Sequence, residues 1–168
     1  MSRDLTPAVV AFGANLGDRA ATIQAAADEL AATDGVELVK LAPPIETPAV
    51  RPYGVDRDAP AYLNTVALIR TSLAPAELHD VLKKIEDAHG RVRTQRWGDR
   101  TLDLDVIVFG ELQQDDPELT LPHPRAHERD FVLRPWLTAD PQAVLPGRGR
   151  VEDLLADLGR HDLGGGAA

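Results

Sequence analysis

The sequence predicts an α+β sandwich in which helices flank a mainly antiparallel central sheet. Segments with alternating apolar residues, typical of half-buried strands, are interleaved with two segments whose apolar residues recur at helical spacing. Glycine, proline or a capping residue stands at most of the boundaries between them. The predicted order β-α-β-β-α-β, followed by a carboxy-terminal extension, is related to the ferredoxin-like arrangement.

The first part of the chain supplies two strands, a helix and a loop. Pro7–Ala14 is a short apolar run, which predicts a buried strand followed by a turn. Asp18 can cap a helix whose apolar positions share one face, namely Ala20, Ile23, Ala27 and Leu30. Gly35 ends this helix, and Val36–Ala42 predicts the second strand. Between Pro43 and Pro60, five prolines and few periodic apolar residues predict a long loop, of a kind that is usually functional or disordered.

The second part of the chain supplies the remaining elements. Ala61–Arg70 is rich in strand formers and predicts a central strand. Pro75 stands early in a helix that ends at Gly90, with Leu78, Val81, Leu82 and Ile85 on its buried face. Thr101–Gly110 alternates as a strand, and an amphipathic helix covers about Val151–Leu158. The glycine-rich tail at 164–168 is expected to be disordered.

Length and composition limit the classes of protein that this chain can be. With 168 residues, a single domain over 1–163 is expected. A net charge of −9 argues against an extended nucleic-acid surface, and the absence of cysteine excludes disulfides and thiolate catalysis. The first residues lack a signal-peptide pattern, and no apolar stretch approaches the ~20 residues that span a bilayer. We expect a monomer in the cytoplasm, without a membrane or nucleic-acid partner.

Two aspartates in the strand Thr101–Gly110 form the first candidate site. In an extended strand, Asp103 and Asp105 face one side while Leu102 and Leu104 face the other. Like charges about 4 Å apart repel by roughly 4 kcal/mol near a protein surface, so a cation should lie between the carboxylates. Mg²⁺ is the simplest candidate. The alternative is a half-exposed strand that carries two aspartates by chance, although aspartate is disfavoured in strands.

An arginine-rich loop runs directly into this strand. Arg91, Arg93, Arg96 and Arg100 place four guanidinium groups within ten residues of an otherwise acidic chain. The planar guanidinium binds phosphate oxygens through two hydrogen bonds, so arginines beside a carboxylate-held Mg²⁺ suit a polyphosphate. A solvated run of charge is the alternative. Trp97, inside the loop, is either a packing anchor or part of a lid over a ligand.

Two further clusters could complete a binding site. His123 stands between two prolines that restrict its backbone, and with Arg129 it could donate hydrogen bonds to phosphate. Tyr62 and Asn64 share one face of a predicted strand. The Asn64 amide could bind either a backbone group in the core or a flat heterocycle, which Tyr62 and Phe131 could sandwich.

Taken together, these motifs resemble a known family. The stretches FGANLGDR, Tyr62–Asn64, Glu86 with GRVR, RWGDRTLDLDVIVFG and LPHPRAHERDFVL occur in the order found in the 6-hydroxymethyl-7,8-dihydropterin pyrophosphokinases of folate biosynthesis. The resemblance covers about Val9 to Trp136. It implies transfer of the β,γ-pyrophosphoryl group of ATP to the hydroxymethyl group of the pterin, giving AMP and the pterin diphosphate.

The resemblance also implies a role for each matching residue. Asp103 and Asp105 would hold two Mg²⁺ ions against the ATP phosphates. The catalytic residues that the resemblance implies are these two aspartates with Arg91 and Arg100. ATP would be contacted by Arg91, Arg93, Trp97, Arg100, Val106, Thr120, His123 and Arg129. The pterin side would be formed by Thr47, Pro48, Tyr62, Asn64, Glu86, Trp97 and Phe131.

Two other functions fit part of the pattern. A metal-dependent phosphohydrolase would also use paired aspartates and arginines, but it would release phosphate from ATP alone. A non-catalytic nucleotide-binding module would bind ATP and Mg²⁺ without forming AMP when the pterin is present.

Overall fold

The computed structural model describes residues 4–14, 18–47, 49–51, 54–56, 62–90 and 102–167. In these ranges the strands are β1 Thr6–Ala14, β2 Val36–Leu41, β3 Ile45–Thr47, β4 Ala49–Arg51, β5 Gly54–Asp56, β6 Tyr62–Thr71, β7 Asp103–Phe109, β8 Val144–Leu145 and β9 Gly149–Arg150. The helices are α1 Arg19–Ala31, α2 Pro75–Gly90, α3 Asp130–Ala139 and α4 Val151–Ala167, with a 3-10 helix at Ala126–Glu128.

A five-stranded antiparallel sheet forms the centre of the fold. Its strand order is β2-β6-β1-β7, and β3 pairs with the beginning of β6. The register of β1 against β7 shifts between Val9 and Val10, which pair with Val108 and Val106, so that Ile107 is an extra residue on β7. A β-bulge of this kind frees backbone groups for other partners. The prediction of an α+β sandwich with a mainly antiparallel sheet and flanking helices is confirmed.

Helices cover the two faces of the sheet with separate apolar clusters. On the first face α1 and α2 pack against the sheet, with a core formed by residues such as Phe12, Ile23, Leu30, Leu82 and Leu104. On the second face α3 and α4 cover a core formed by residues such as Val9, Val66 and Ile107 of the sheet and Leu133 and Trp136 of α3. The alternation of side chains along each strand assigns residues to these two faces. Within the described part of the chain, no helix is long and apolar enough to cross a membrane.

The predicted helices begin and end close to their sequence signals. The Asp18 carboxylate accepts a hydrogen bond from the Ala21 N–H at 3.1 Å and caps α1, as predicted. Gly35 follows α1 with a φ of 86°, a backbone conformation that favours glycine. The second helix occupies Pro75–Gly90, as expected.

The structure differs from the sequence prediction in three segments. The prediction of an unstructured loop from Pro43 to Pro60 is wrong, because β3, β4 and β5 lie within it and β3 joins the central sheet. Helix α3 was not predicted, although it buries Val132, Leu133 and Trp136. Helix α4 continues to Ala167, beyond the predicted end at Leu158 and through most of the tail expected to be disordered. Each added helical residue completes another backbone hydrogen bond, which favours such extension.

Candidate active site

Three neighbouring strands bring their polar residues to one line across the sheet. In the register of β1, Gly13 lies opposite Asn64 of β6 on one side and opposite Asp103 of β7 on the other. Directly paired residues of adjacent strands project from the same face, so Asn64 and Asp103 flank a position without a side chain. Two residues away along β1 and β7, on the same face, Ala11 lies opposite Asp105. The small residues of β1 thus form the floor between an amide and two carboxylates.

The two aspartates project as the alternation of β7 predicts. Leu102 and Leu104 are buried in the first core, whereas Asp103 and Asp105 are half-buried on the opposite face. In the described ranges, no lysine or arginine forms a salt bridge with Asp105. Those ranges also hold no group of three or more histidine, aspartate or glutamate side chains that could bind a metal by itself. Two carboxylates suit a hard cation whose other ligands come from a bound phosphate or from water.

Asn64 is held in place by the strand that the sequence did not predict. The asparagine is 6% exposed, and its Nδ2 donates a hydrogen bond to Thr47 Oγ1 at 2.7 Å. Thr47 lies in β3, directly opposite Tyr62 of β6. The Asn64 Oδ1 lies 3.2 Å from the place that a Cβ on Gly13 would occupy, so this oxygen borders the floor of the site. Thr47 and Asn64, both implied on the pterin side, are therefore in contact.

His123 is attached to the bulge of β7 through its backbone. The His123 N–H donates to the Ile107 carbonyl oxygen at 2.8 Å, which places the residue beside the aspartates. The ring Nδ1 accepts a hydrogen bond from the Arg125 N–H at 3.1 Å. In the neutral ring the proton is therefore on Nε2, which can donate to a ligand.

The charges around His123 show which side chains lie near it. Burial lowers the pKa of the His123 imidazole below its usual value of 6.5, the Asp105 carboxylate raises this pKa, and the Arg129 and Arg125 guanidinium groups lower it. The neutral ring thus lies within electrostatic range of one carboxylate of the predicted metal site and one arginine of the predicted ATP site. Arg129 also lies over the Phe131 ring, 5.6 Å from its centroid, at the start of α3.

Three other predicted site residues lie off the line formed by Asn64, Gly13 and Asp103. Glu86 is buried, and its Oε2 accepts a hydrogen bond from the Leu104 N–H at 2.7 Å. Val106 is buried in the first core, on the face opposite to the aspartates, so its side chain does not face the line of polar residues. The Thr120 hydroxyl donates to the Asp116 carbonyl oxygen at 3.0 Å in the turn after β7. The roles implied for these residues stay predictions.

Several predicted residues lie outside the described ranges. They are Pro48, Arg91, Arg93, Arg96, Trp97 and Arg100. The expectations for the arginine loop therefore stay predictions.

Sequence reasoning missed Gly13 as a site residue. It interpreted FGAN as the end of a strand followed by a turn and counted FGANLGDR among the family motifs, but it gave Gly13 no role. A glycine inside a strand often marks a place where a ligand or another chain segment approaches the backbone, and this signal could have identified it.

Comparison with known proteins identifies the family. The sequence profile of the 7,8-dihydro-6-hydroxymethylpterin-pyrophosphokinase (HPPK) family matches residues 9–141. This chain belongs to that family. Proteins named 2-amino-4-hydroxy-6-hydroxymethyldihydropteridine pyrophosphokinase share 40% identity in Methylorubrum extorquens, over 92% of this chain and 94% of the relative, and 41% in Pseudomonas aeruginosa, over 88% of each. The resemblance to the HPPK family inferred from the motifs is confirmed.

Solved structures agree on the HPPK fold. A crystal structure of Plasmodium falciparum HPPK-DHPS superposes with a TM-score of 0.69 and 12% identity, over 95% of this chain and 46% of that chain. A crystal structure of HPPK-DHPS in complex with substrates gives a TM-score of 0.65 over 91% of this chain and 43% of that one. This chain thus spans less than half of each of those two proteins. At this identity the likeness establishes the fold alone.

Proposed function

We propose that this protein transfers the pyrophosphoryl group of ATP to 6-hydroxymethyl-7,8-dihydropterin, giving AMP and the pterin diphosphate. Membership of the HPPK family supports this activity, as do relatives that carry the corresponding name over most of their length. One structural observation carries the proposal at the site. In the register line Asn64–Gly13–Asp103, an amide suited to a heterocycle lies on one side of Gly13 and a carboxylate suited to a cation lies on the other.

The reaction needs alignment and charge neutralisation more than covalent participation by the protein. The hydroxymethyl oxygen of the pterin forms a bond to the β-phosphorus of ATP. The bond from this phosphorus to the oxygen that bridges to the α-phosphorus breaks, and AMP leaves with that oxygen. The hydroxyl proton passes to water. The protein must therefore hold the alcohol and the triphosphate in line.

Asp103 and Asp105 are the residues that would hold Mg²⁺. Their carboxylates project from one face of β7, half-exposed, and their oxygens are the ligand type that Mg²⁺ prefers. Two Mg²⁺ ions bound there would neutralise charge on the phosphate oxygens of ATP. The chain's own contribution is to fix both carboxylates beside the floor of Ala11 and Gly13.

His123 and Arg129 would bind the triphosphate from the side of α3. A neutral His123 with its proton on Nε2 donates one hydrogen bond and adds no charge that would repel a cation at Asp105. The guanidinium of Arg129 supplies a permanent positive charge. Arg91, Arg93, Arg100 and Trp97 would complete this side.

The pterin would lie over Gly13, on the side of β3 and β6. Asn64 would offer its amide to the ring edge, with its orientation fixed by Thr47. Tyr62 and Phe131 would stack on the ring. In this arrangement the hydroxymethyl group would point toward Asp103, where the phosphates would be.

Product analysis tests the proposal. The purified protein is incubated with ATP and Mg²⁺, with and without 6-hydroxymethyl-7,8-dihydropterin, and AMP, ADP and phosphate are separated by chromatography. We expect AMP in an amount equal to the pterin diphosphate, and none without the pterin. Phosphate release from ATP alone would instead identify a phosphohydrolase, and nucleotide binding with no product would identify a binding module.

We also infer that the protein acts as a monomer in the cytoplasm. The absence of cysteine suits a reducing compartment. Sedimentation velocity at the protein concentration of the assay tests the oligomeric state, and a dimer at that concentration would contradict this inference.

A further inference from the structure

Glu86 is a buried carboxylate that contacts the backbone between the two aspartates. It lies in α2 and is 6% exposed. Its Oε2 accepts a hydrogen bond from the Leu104 N–H at 2.7 Å, and its Oε1 lies 3.3 Å from Lys83 Nζ. Burying a carboxylate costs free energy unless it is hydrogen-bonded or paired, and these two contacts supply such partners.

The position of β7 in the sheet explains what Glu86 does there. Of the sheet strands in the described ranges, β7 pairs with β1 alone and so lies at an edge. Alternate N–H groups of an edge strand point away from its neighbour and have no strand partner. The Leu104 N–H is such a group, and it belongs to the residue between Asp103 and Asp105. At this position, Glu86 provides the acceptor that a further strand would have supplied.

We propose that Glu86 is a positioning residue for the metal-binding carboxylates. By accepting from the Leu104 N–H, it fixes the peptide units on which Asp103 and Asp105 are mounted, and so the spacing of their oxygens. This inference rests on the proposed function, in which those oxygens hold divalent cations. The sequence resemblance implied instead that Glu86 faces the site near the pterin or the arginine loop.

A metal site depends on the groups that orient its ligands. Loss of such an outer contact typically weakens metal affinity by about 10- to 100-fold. The Glu86 contact differs from the usual case in that it orients the backbone between two ligands rather than one ligand side chain. Both aspartates should therefore be displaced together when it is lost.

Two substitutions separate hydrogen-bond reach from charge. Glu86→Gln keeps the chain length and an oxygen that accepts from the Leu104 N–H, but it removes the negative charge. Glu86→Asp keeps the charge but shortens the side chain by one methylene, so its oxygens no longer reach Leu104. Lys83→Ala is the matched control, because it removes the ion pair between Lys83 and Glu86 while leaving the hydrogen bond to the Leu104 N–H in place.

The experiment measures binding of Mn²⁺, a spectroscopic substitute for Mg²⁺. Mn²⁺ is titrated by electron paramagnetic resonance into each protein with the non-reacting analogue α,β-methylene-ATP, and thermal unfolding is recorded in parallel. We expect Glu86→Asp to weaken Mn²⁺ binding by about 10-fold or more, and Glu86→Gln and Lys83→Ala to stay within about 3-fold of the parent. Amide exchange at Leu104 should accelerate in Glu86→Asp only.

Weaker Mn²⁺ binding in Glu86→Gln than in Glu86→Asp would overturn the inference, because the effect would then come from the charge of Glu86 and not from its hydrogen bond. If Glu86→Asp binds Mn²⁺ as tightly as the parent does, the inference is also overturned, whatever the change in melting temperature.

The variant Asp105→Asn distinguishes failure of the proposed metal site from failure of the role of Glu86. If it binds Mn²⁺ as the parent does, the metal site in the proposed function fails and the role of Glu86 fails with it. If Asp105→Asn loses binding and Glu86→Asp does not, only the role of Glu86 fails.

Discussion

Replacing Gly13 by alanine should weaken pterin binding specifically. A Cβ at this position would lie 3.2 Å from Asn64 Oδ1, closer than ordinary van der Waals contact, and among the described residues outside its chain neighbours no other atom lies within 4 Å of it. Asn64 cannot yield freely, because its Nδ2 is hydrogen-bonded to Thr47 Oγ1 at 2.7 Å. The added methyl group therefore either displaces the amide or fills the floor on which the pterin would lie.

The size of the effect follows from this contact. Overpacking a well-packed position costs typically about 1–3 kcal/mol. If the complex with the pterin is destabilised by an amount near the lower end of this range, about 1.4 kcal/mol, pterin binding weakens roughly tenfold. Because the clash is with Asn64 and not with Asp103, we expect the KM for the pterin to rise about tenfold and the KM for ATP to change less than about twofold.

The assay is the initial rate of AMP formation as each substrate is varied. Gly159→Ala is the matched control, since a Cβ there, on an exposed part of α4, would meet no described residue within 4 Å. Melting temperatures of both variants separate a local effect from loss of folded protein. A pterin KM within twofold of the parent for Gly13→Ala would refute the reasoning, and so would an equal rise in both KM values.

The titration of His123 and the packing of the core provide further tests. In the metal-free protein, NMR should give His123 a pKa below 6.5. This pKa should fall further in Asp105→Asn and rise in Arg129→Gln. Changes in the opposite directions would contradict the placement of Asp105 and Arg129 near His123. Because its folded-state pKa is lowered, the contribution of His123 to stability is complete above 6.5 and is lost as the pH falls toward the folded-state pKa. Thr47→Val should raise the pterin KM severalfold without changing the ATP KM. Leu133→Ala, in the second core, should lower the free energy of unfolding by about 2–5 kcal/mol in chemical denaturation, and a loss under 1 kcal/mol would contradict its burial.

The main elements of the fold could be predicted because their signals are local. A short apolar run identifies β1, strand-forming residues identify β6 and alternation identifies β7, while Asp18 and Gly90 mark helix boundaries in the sequence itself. Strand β3 could not be predicted in this way, since three residues carry no periodicity and its existence depends on pairing with β6. Helix α3 was missed because Pro135 lies inside it, and burial against the sheet outweighs that local signal.

The site shows the same division between local and distant signals. The shared face of Asp103 and Asp105 follows from strand geometry alone. The proximity of His123 to Asp105 does not, because it depends on a hydrogen bond to the carbonyl of a bulge residue. The contact of Glu86 with the Leu104 N–H likewise joins residues 18 positions apart, and the sequence gives no sign of which group a buried glutamate will bind.

The central claim is that the carboxylates of β7 support pyrophosphoryl transfer by holding the cations that neutralise the ATP phosphates. The most direct test is kcat for pterin-dependent AMP formation in Asp105→Asn, with the exposed Asp115→Asn in the turn after β7 as the control of equal charge change. We predict a fall of about 10²- to 10³-fold for Asp105→Asn, the range typical of losing one charge-stabilising group, and a change under about twofold for Asp115→Asn. A kcat for Asp105→Asn within a few-fold of the parent would contradict the account.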